Sequence, residues 1–311
     1  MAASSDRRAA LSVSSAPRRG IVLVLISGAV FTVNDSAMKW LRADYPVGEL
    51  VTIRGIFSLI VLACLVRFIG GWHTLRIRDW RAQWLRSLLV LITTVCFLGA
   101  IRYMPLADAM GIAFAGPLFT VALAGPLLGE RVGWRRWTAV GVGFAGVLLM
   151  VRPTGEGFQL AAILPLITAL CGALRDIVTR RMSVTDHSNA TLAFAIAAVV
   201  GVGFFTWPLG EAFPSQAWIW PTPTHLGLFV LSGILMGIGQ YCVIESLRVA
   251  QAALVAPFKY TSYIWALALG YLIWRDIPSM ASLAGALIVI GSGIFIFWRE
   301  KALTETGGKA S

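Results

Sequence analysis

Charge is what this chain has least of: Asp, Glu, Lys and Arg make up 13% of its 311 residues, where soluble domains carry about 25%. A soluble enzyme surface cannot be assembled from so few charges. Histidine occurs three times, as His73, His187 and His225, dispersed near expected loops. The four cysteines, Cys64, Cys96, Cys171 and Cys242, all lie in apolar runs, and no pair has metal-ligand spacing. They read as packing residues. The sequence contains no G-x-x-x-x-G-K-[ST], no G-x-S-x-G and no H-E-x-x-H. Those absences argue against an ATP-driven pump, a serine hydrolase and a zinc protease, and no metal or cofactor is expected. The opening MAASSDRRAALSVSSAPRRG has no apolar core and does not read as a signal peptide. Residues 1–19 are expected to be a disordered tail, and residues 299–311 a second tail whose end, TETGGKAS, is disordered.

Apolar sequence is what the chain has in abundance, at 58%. Ten segments are long and apolar enough to cross a bilayer: 20–38, 48–69, 84–101, 106–128, 135–151, 158–179, 189–208, 225–247, 252–273 and 280–298. The connections are too short to hold a core of their own. The expected fold is therefore an all-α membrane protein of ten transmembrane helices.

A net charge of +11 suits nucleic acid as well as membrane topology, but its placement decides between them. Nineteen of the 26 basic residues fall on the side that carries both termini and five on the other, with Arg54 and Lys259 inside spans. By the positive-inside rule both termini are cytoplasmic, and no nucleic-acid partner is expected.

The segment AALVAPFKYTSYIWALALGYLI, 252–273, puts Lys259 near mid-span. An ammonium at that depth costs at least about 2.5 kcal/mol, so it should face a cavity or a protein interior. On a helix Lys259, Ser262, Tyr263 and Ala266 share a face, with Tyr260 alongside. Pro257 interrupts the helical ladder two residues earlier.

The chain also repeats itself. An offset of 146 sets Arg102 on Arg248, Ala107 on Ala253, Leu123 on Leu269 and Glu130 on Asp276, and an offset of 141 sets Asn34-Asp35 on Arg175-Asp176 and Lys39 on Arg180. With five spans per half, the copies must enter the membrane in opposite orientations. The expected domains are 20–152 and 153–298, with a site near the midplane between them.

The block Leu106–Met150, LADAMGIAFAGPLFTVALAGPLLGERVGWRRWTAVGVGFAGVLLM, resembles the EamA branch of the drug/metabolite transporter superfamily. Pro117, the Leu128-Gly129-Glu130-Arg131 turn, the glycine-rich fifth span and Arg54 belong to that resemblance. The ninth span departs from it, with Tyr263 in the place of Pro117 and Trp274-Arg275-Asp276 in the place of Leu-Gly-Glu. The run Ala256–Ser262 is similar to a subgroup of amino-acid and metabolite exporters and vitamin carriers. The resemblance implies export of small organic solutes across a bacterial inner membrane.

For the cavity the candidates are Lys259, Tyr260, Ser262, Tyr263, Trp265, Phe31, Asn34, Phe114 and Tyr241. For gating or ion pairing they are Asp35, Arg54, Arg175, Asp176 and Glu245. Asp35 with Lys39, and Asp176 with Arg180, have i,i+4 spacing. That spacing fits either an edge pair worth a few tenths of a kcal/mol or gates at opposite mouths. Arg54 reads either as a clasp to Asp35 or Glu49 or as a contact for a substrate carboxylate. Trp72, Trp80, Trp84, Trp134, Trp137, Trp218 and Trp220 read as an interfacial belt, and Gly233-x-x-x-Gly237 as a helix contact. Cations, carboxylates and aromatic walls together suit a zwitterion, so a monomeric secondary transporter of amino acids, including aromatic ones, is the expected function. Vitamin uptake, lipophilic-cation efflux, a lipid-modifying enzyme and a channel are the alternatives. Substrate and membrane lipids are the expected partners.

Overall fold

The computed structural model describes residues 17–128, 133–151, 160–182, 188–208, 217–249 and 256–307. Among them the regular structure is entirely helical. The helices are α1 (Pro17–Leu41), α2 (Val47–Leu65), α3 (Trp80–Tyr103), α4 (Leu106–Ala113), α5 (Gly116–Leu128) and α6 (Trp134–Val151). The second half supplies α7 (Ile163–Met182), α8 (Ser188–Phe204), α9 (Pro223–Val249), α10 (Thr261–Leu269) and α11 (Met280–Gly307). Among the described residues five helical stretches are long and apolar enough to span a membrane alone: Arg18–Leu41, Val47–Phe68, Trp80–Tyr103, Leu106–Leu123 and Pro223–Val243.

The described helices fill the ten apolar segments, with corrections at three places. The fourth segment is broken, because Pro117 has no N–H to give to the Ala113 carbonyl. The chain closes α4 instead through the Phe114 N–H to Met110 O at 2.9 Å and the Ala115 N–H to Ile112 O at 3.0 Å. The described part of the ninth segment, from Ala256, is not one α-helix. It opens with a 3-10 turn, Ala256–Tyr260, becomes α-helical at Thr261 and ends in a π turn, Gly270–Trp274. Pro257 therefore stands in an opening turn, where a missing N–H is tolerated, and residue 253 lies outside the described residues. At the termini α1 already begins at Pro17, and α11 continues to Gly307, through residues expected in a disordered tail.

Packing pairs the two halves. Helix α1 lies on α9 and α3 on α7; α2 lies on α9 and α3 on α8; α1 touches α10 and α5 touches α7. Exchanging each helix of one half for its counterpart in the other turns every one of these contacts into its mate. Three further contacts map onto themselves: α2 with α8, α6 with α11 and α4 with α10.

Glycines set the closest approaches. A β-carbon on Gly146 would stand 2.8 Å from the Gly285 carbonyl oxygen, so α6 and α11 cross backbone to backbone. Gly233 and Gly237 face Phe57 and Val61 of α2, which uses the G-x-x-x-G face inside the chain.

The connections alternate between two ends. At the first, Arg102 Nη1 donates to Arg42 O at 3.2 Å, Tyr45 Oη meets His225 Nδ1 at 2.9 Å and Glu49 accepts the Ile219 N–H at 3.0 Å. Burial, then the neighbouring Arg102, holds the Arg42 guanidinium below its usual range. At the second end Asn189 Nδ2 donates to Thr74 Oγ1 at 3.2 Å and Arg86 Nε to Thr179 Oγ1 at 2.8 Å. The tryptophan belt is exposed at Trp72, Trp80, Trp84, Trp134, Trp137 and Trp220. Trp218 departs from it, stacking on Trp207 at 5.5 Å and donating to Thr206 Oγ1.

Candidate functional site

Both helix breaks open onto one cavity of about 390 Å³. Phe114, Gly116 and Pro117 line it from the α4–α5 break, and Lys259 and Tyr260 from the 3-10 turn that precedes α10. Helix α7 adds Arg175 and Asp176, and Thr93, Thr120 and Thr168 bring hydroxyls. Irregular backbone is stable at membrane depth only where protein or a wet cavity covers it, which is why the two breaks and the cavity coincide.

The aromatic wall is made by the repeat. Phe114 and Tyr260 are related by the offset of 146, and their rings meet edge to face with centroids 5.2 Å apart. Tyr263 stands behind Phe114, centroids 6.4 Å apart. The Tyr260 hydroxyl lies against Gly293 of α11, so this ring offers the cavity its body rather than its tip.

The charges are unequally paired. Arg175 holds Asp176 Oδ1 through Nε at 3.0 Å and Nη2 at 2.8 Å. Lys259 is exposed into the cavity, and among the described residues its ammonium has no hydrogen-bond or ion-pair partner. The site therefore presents one ion pair and one unneutralised cation in an aromatic and hydroxylic wall. A carboxylate is the group that such a cation favours.

The structure thus brings together Lys259, Tyr260, Phe114, Arg175 and Asp176, with Tyr263 in support. It places other candidates elsewhere. Trp265 is 45% exposed on the outer surface, because two positions after Tyr263 on the same α-helix a side chain has turned about 200° to the opposite face. Ser262 is buried; its Oγ donates to Lys259 O at 2.6 Å and its carbonyl accepts from Thr32 Oγ1 at 3.4 Å. Phe31 packs on Gly239, and Asn34 Oδ1 accepts from Ser232 Oγ. Tyr241 is half-buried on α9 and does not line the cavity. The Glu245 and Arg180 side chains lie outside the described residues.

The first i,i+4 pair is corrected; the second involves Arg180, whose side chain lies outside the described residues. Lys39 does not hold Asp35 but reaches Asp276 at 2.8 Å, a lower-cost reach because it also lays the ammonium 4.5 Å over the Trp274 ring. Asp176 takes its neighbour Arg175. Asp35 accepts from Asn34 Nδ2 at 3.0 Å and feels the charge of Arg54, which is buried. Among the described residues no contact of 4.0 Å or less joins those two charges.

Sequence reasoning missed the three threonines and the Lys39–Asp276 bridge. Thr93, Thr120 and Thr168 each donate to the carbonyl four residues earlier, which hides a cavity hydroxyl among ordinary helix residues. Residues 39 and 276 are 237 positions apart, and only the assignment of both to one end could have suggested their meeting.

A fold of paired helical halves around a cavity with a free cation defines a small-molecule carrier. The EamA-like transporter family matches residues 18–152 and again 159–298, and the chain belongs to that family. Among its relatives are an S-adenosylmethionine uptake transporter of Rickettsia bellii (strain RML369-C), 28% identical over 91% of this chain and 94% of that protein. A riboflavin transporter of Vibrio cholerae serotype O1 is 23% identical over 94% of this chain and 97% of its own. A pseudopaline exporter of Pseudomonas aeruginosa (strain UCBPP-PA14) is 23% identical over 88% and 94%. A solved crystal structure with 18% identity superposes with a TM-score of 0.63, covering 92% of this chain and 98% of that one, and shares the fold. The protein is a multi-pass bacterial inner-membrane transporter of small molecules. The narrower expectation of an aromatic amino-acid exporter is not what these relatives carry.

Proposed function

We propose that this protein is a monomeric secondary transporter of small zwitterionic metabolites that join an amino-acid end to a flat or aromatic body. The carrying observation is Lys259, an unpaired cation in a cavity walled by Phe114 and Tyr260. Lys259 takes the substrate carboxylate, Asp176 exchanges part of its bond with Arg175 for the substrate amine, and the rings cover the body. Aromatic amino acids fit this class. So does S-adenosylmethionine, the substrate named for several relatives, which has an amino-acid end and an adenine.

The paired contacts of the two halves and the two family matches support an inverted repeat, with halves near 20–152 and 153–298. The excess of basic residues at the second end supports cytoplasmic termini. With that orientation Asp176, in the last third of α7, and Lys259, near the start of the ninth segment, set the cavity toward the cytoplasmic end; it is proposed to open there and to be closed toward the periplasm. Movement of one half against the other exposes it to either side in turn.

The test is counterflow into proteoliposomes loaded with S-adenosylmethionine, riboflavin or single amino acids, each with and without a pH gradient. Saturable exchange of amino-acid-bearing compounds supports the proposal. Exchange of riboflavin alone replaces the zwitterion with a vitamin, and turnover of a lipid without flux replaces the carrier with an enzyme.

A further inference from the structure

The bridge that displaced the expected Asp35–Lys39 pair sits at the first end, away from the cavity. Lys39 closes the last turn of α1, and Asp276 follows the π turn that ends the ninth segment. Their Nζ–Oδ2 distance is 2.8 Å, and the side chains are only 13% and 28% exposed. The backbone is shaped to deliver the carboxylate. Arg275 adopts the left-handed conformation at φ 59°, unusual for a residue with a β-carbon, and the Asp276 N–H turns back to Gly270 O at 3.2 Å. Trp274 floors the bridge with its ring 4.5 Å from the ammonium. The segment that begins with Lys259 and Tyr260 in the cavity thus ends in this bridge, and α1 lies along it.

We infer that Lys39, Asp276 and Trp274 form a latch that holds the first end shut, and that its opening is a step in exposing the cavity to that side. The inference rests on the carrier reading, since a first end that never opens needs no latch. Lys39 belongs to the first half and Asp276 to the second, so any motion that parts the halves at this end must break the bridge. Once broken, Lys39 loses both its ion pair and its aromatic seat, and the closed form loses population to the open one.

The experiment uses the purified full chain in detergent, with Cys64, Cys96, Cys171 and Cys242 replaced by alanine. One reporter is Ser36→Cys, buried one turn from Lys39, and the other is Thr120→Cys in the cavity. A charged methanethiosulfonate reads their accessibility. Lys39→Met and Asp276→Asn should each raise the Ser36→Cys labelling rate by roughly three- to tenfold and lower that of Thr120→Cys, as expected for release of a partly buried ion pair. The double variant should add nothing beyond either single one. The swapped pair Lys39→Asp with Asp276→Lys should return labelling toward the starting rate. Unchanged labelling with a lowered Tm would make the bridge a mere staple and overturn the inference. Counterflow by the wild-type chain in proteoliposomes is followed in parallel: its absence, with latch-dependent labelling intact, condemns the carrier reading while the closed first end stands.

Discussion

Phe114 and Tyr260 stand 146 positions apart in the chain and meet edge to face in the cavity wall, ring centroids 5.2 Å apart and planes at 76°. Each lies at a helix break in its own half, so the repeat builds one wall from two copies of the same position. Truncating either ring removes area that covers a substrate body. Phe114→Ala should raise the apparent KM for aromatic substrates about tenfold, as expected for a lost large contact, with less effect on small aliphatic ones. Tyr260→Phe should transport normally, because the hydroxyl faces Gly293 rather than the cavity. Counterflow of paired aromatic and aliphatic substrates checks both variants.

Lys259 supplies the charge that its repeat counterpart, Ala113, lacks. Lys259→Met keeps the length of the side chain and deletes the charge. A charge-assisted bond contributes about 1.5–3 kcal/mol, so binding of a carboxylate substrate should fall roughly ten- to hundredfold. Expression and Tm should be unchanged, since the ammonium holds no described neighbour. Binding of the corresponding amide, which has no carboxylate, should be insensitive, and calorimetry on the two ligands makes the comparison.

The glycine crossing of α6 and α11 brings backbone against backbone. A β-carbon on Gly285 would meet the Gly146 carbonyl oxygen at 2.5 Å, and backbone cannot step aside as a side chain can. Gly285→Ala should destabilise the protein by about 1–3 kcal/mol. Gly291→Ala, on the same helix with nothing within 4 Å, should be neutral. Thermal unfolding in detergent separates the two.

Asp35 and Asp176 should behave differently when neutralised. Asp176→Asn releases Arg175 into the cavity, adding a second free cation and shifting preference from zwitterions toward anions. Asp35→Asn leaves the Lys39–Asp276 bridge intact and should not change Ser36→Cys labelling. Substrate competition and thiol labelling report on each variant. Matching profiles would return both residues to the role of helix-edge groups.

How much of this was legible in the sequence depends on range. The apolar segments, the two ends and the interior use of the G-x-x-x-G face followed from composition and spacing, because bilayer thickness and helix geometry leave few alternatives. Lys259 and Phe114 were legible as candidates for the cavity they line, because a cation at depth demands a reason and an aromatic near the polar face is a candidate wall. Trp265 was misplaced because closeness in sequence to Tyr263 was read as closeness in space, although two positions on a helix turn a side chain by about 200°. Asp35 and Lys39 were wrongly paired for a different reason. The i,i+4 rule sees one helix, whereas Lys39 gains more from Asp276 and the Trp274 ring on another. The cavity threonines left no signal, since a hydroxyl bonded to its own helix looks the same in a core.

The central claim is that one cavity is exposed to the two sides of the membrane in turn. Its most direct test is side-specific labelling of Ser36→Cys and Thr120→Cys in intact cells and in inverted vesicles, with and without a counterflow substrate. The account predicts Thr120→Cys reacting from the cytoplasmic side, Ser36→Cys only from the periplasmic side, and substrate moving the two rates in opposite directions. Rates that rise together would describe a channel, and reaction of Ser36→Cys from the cytoplasmic side would contradict the account.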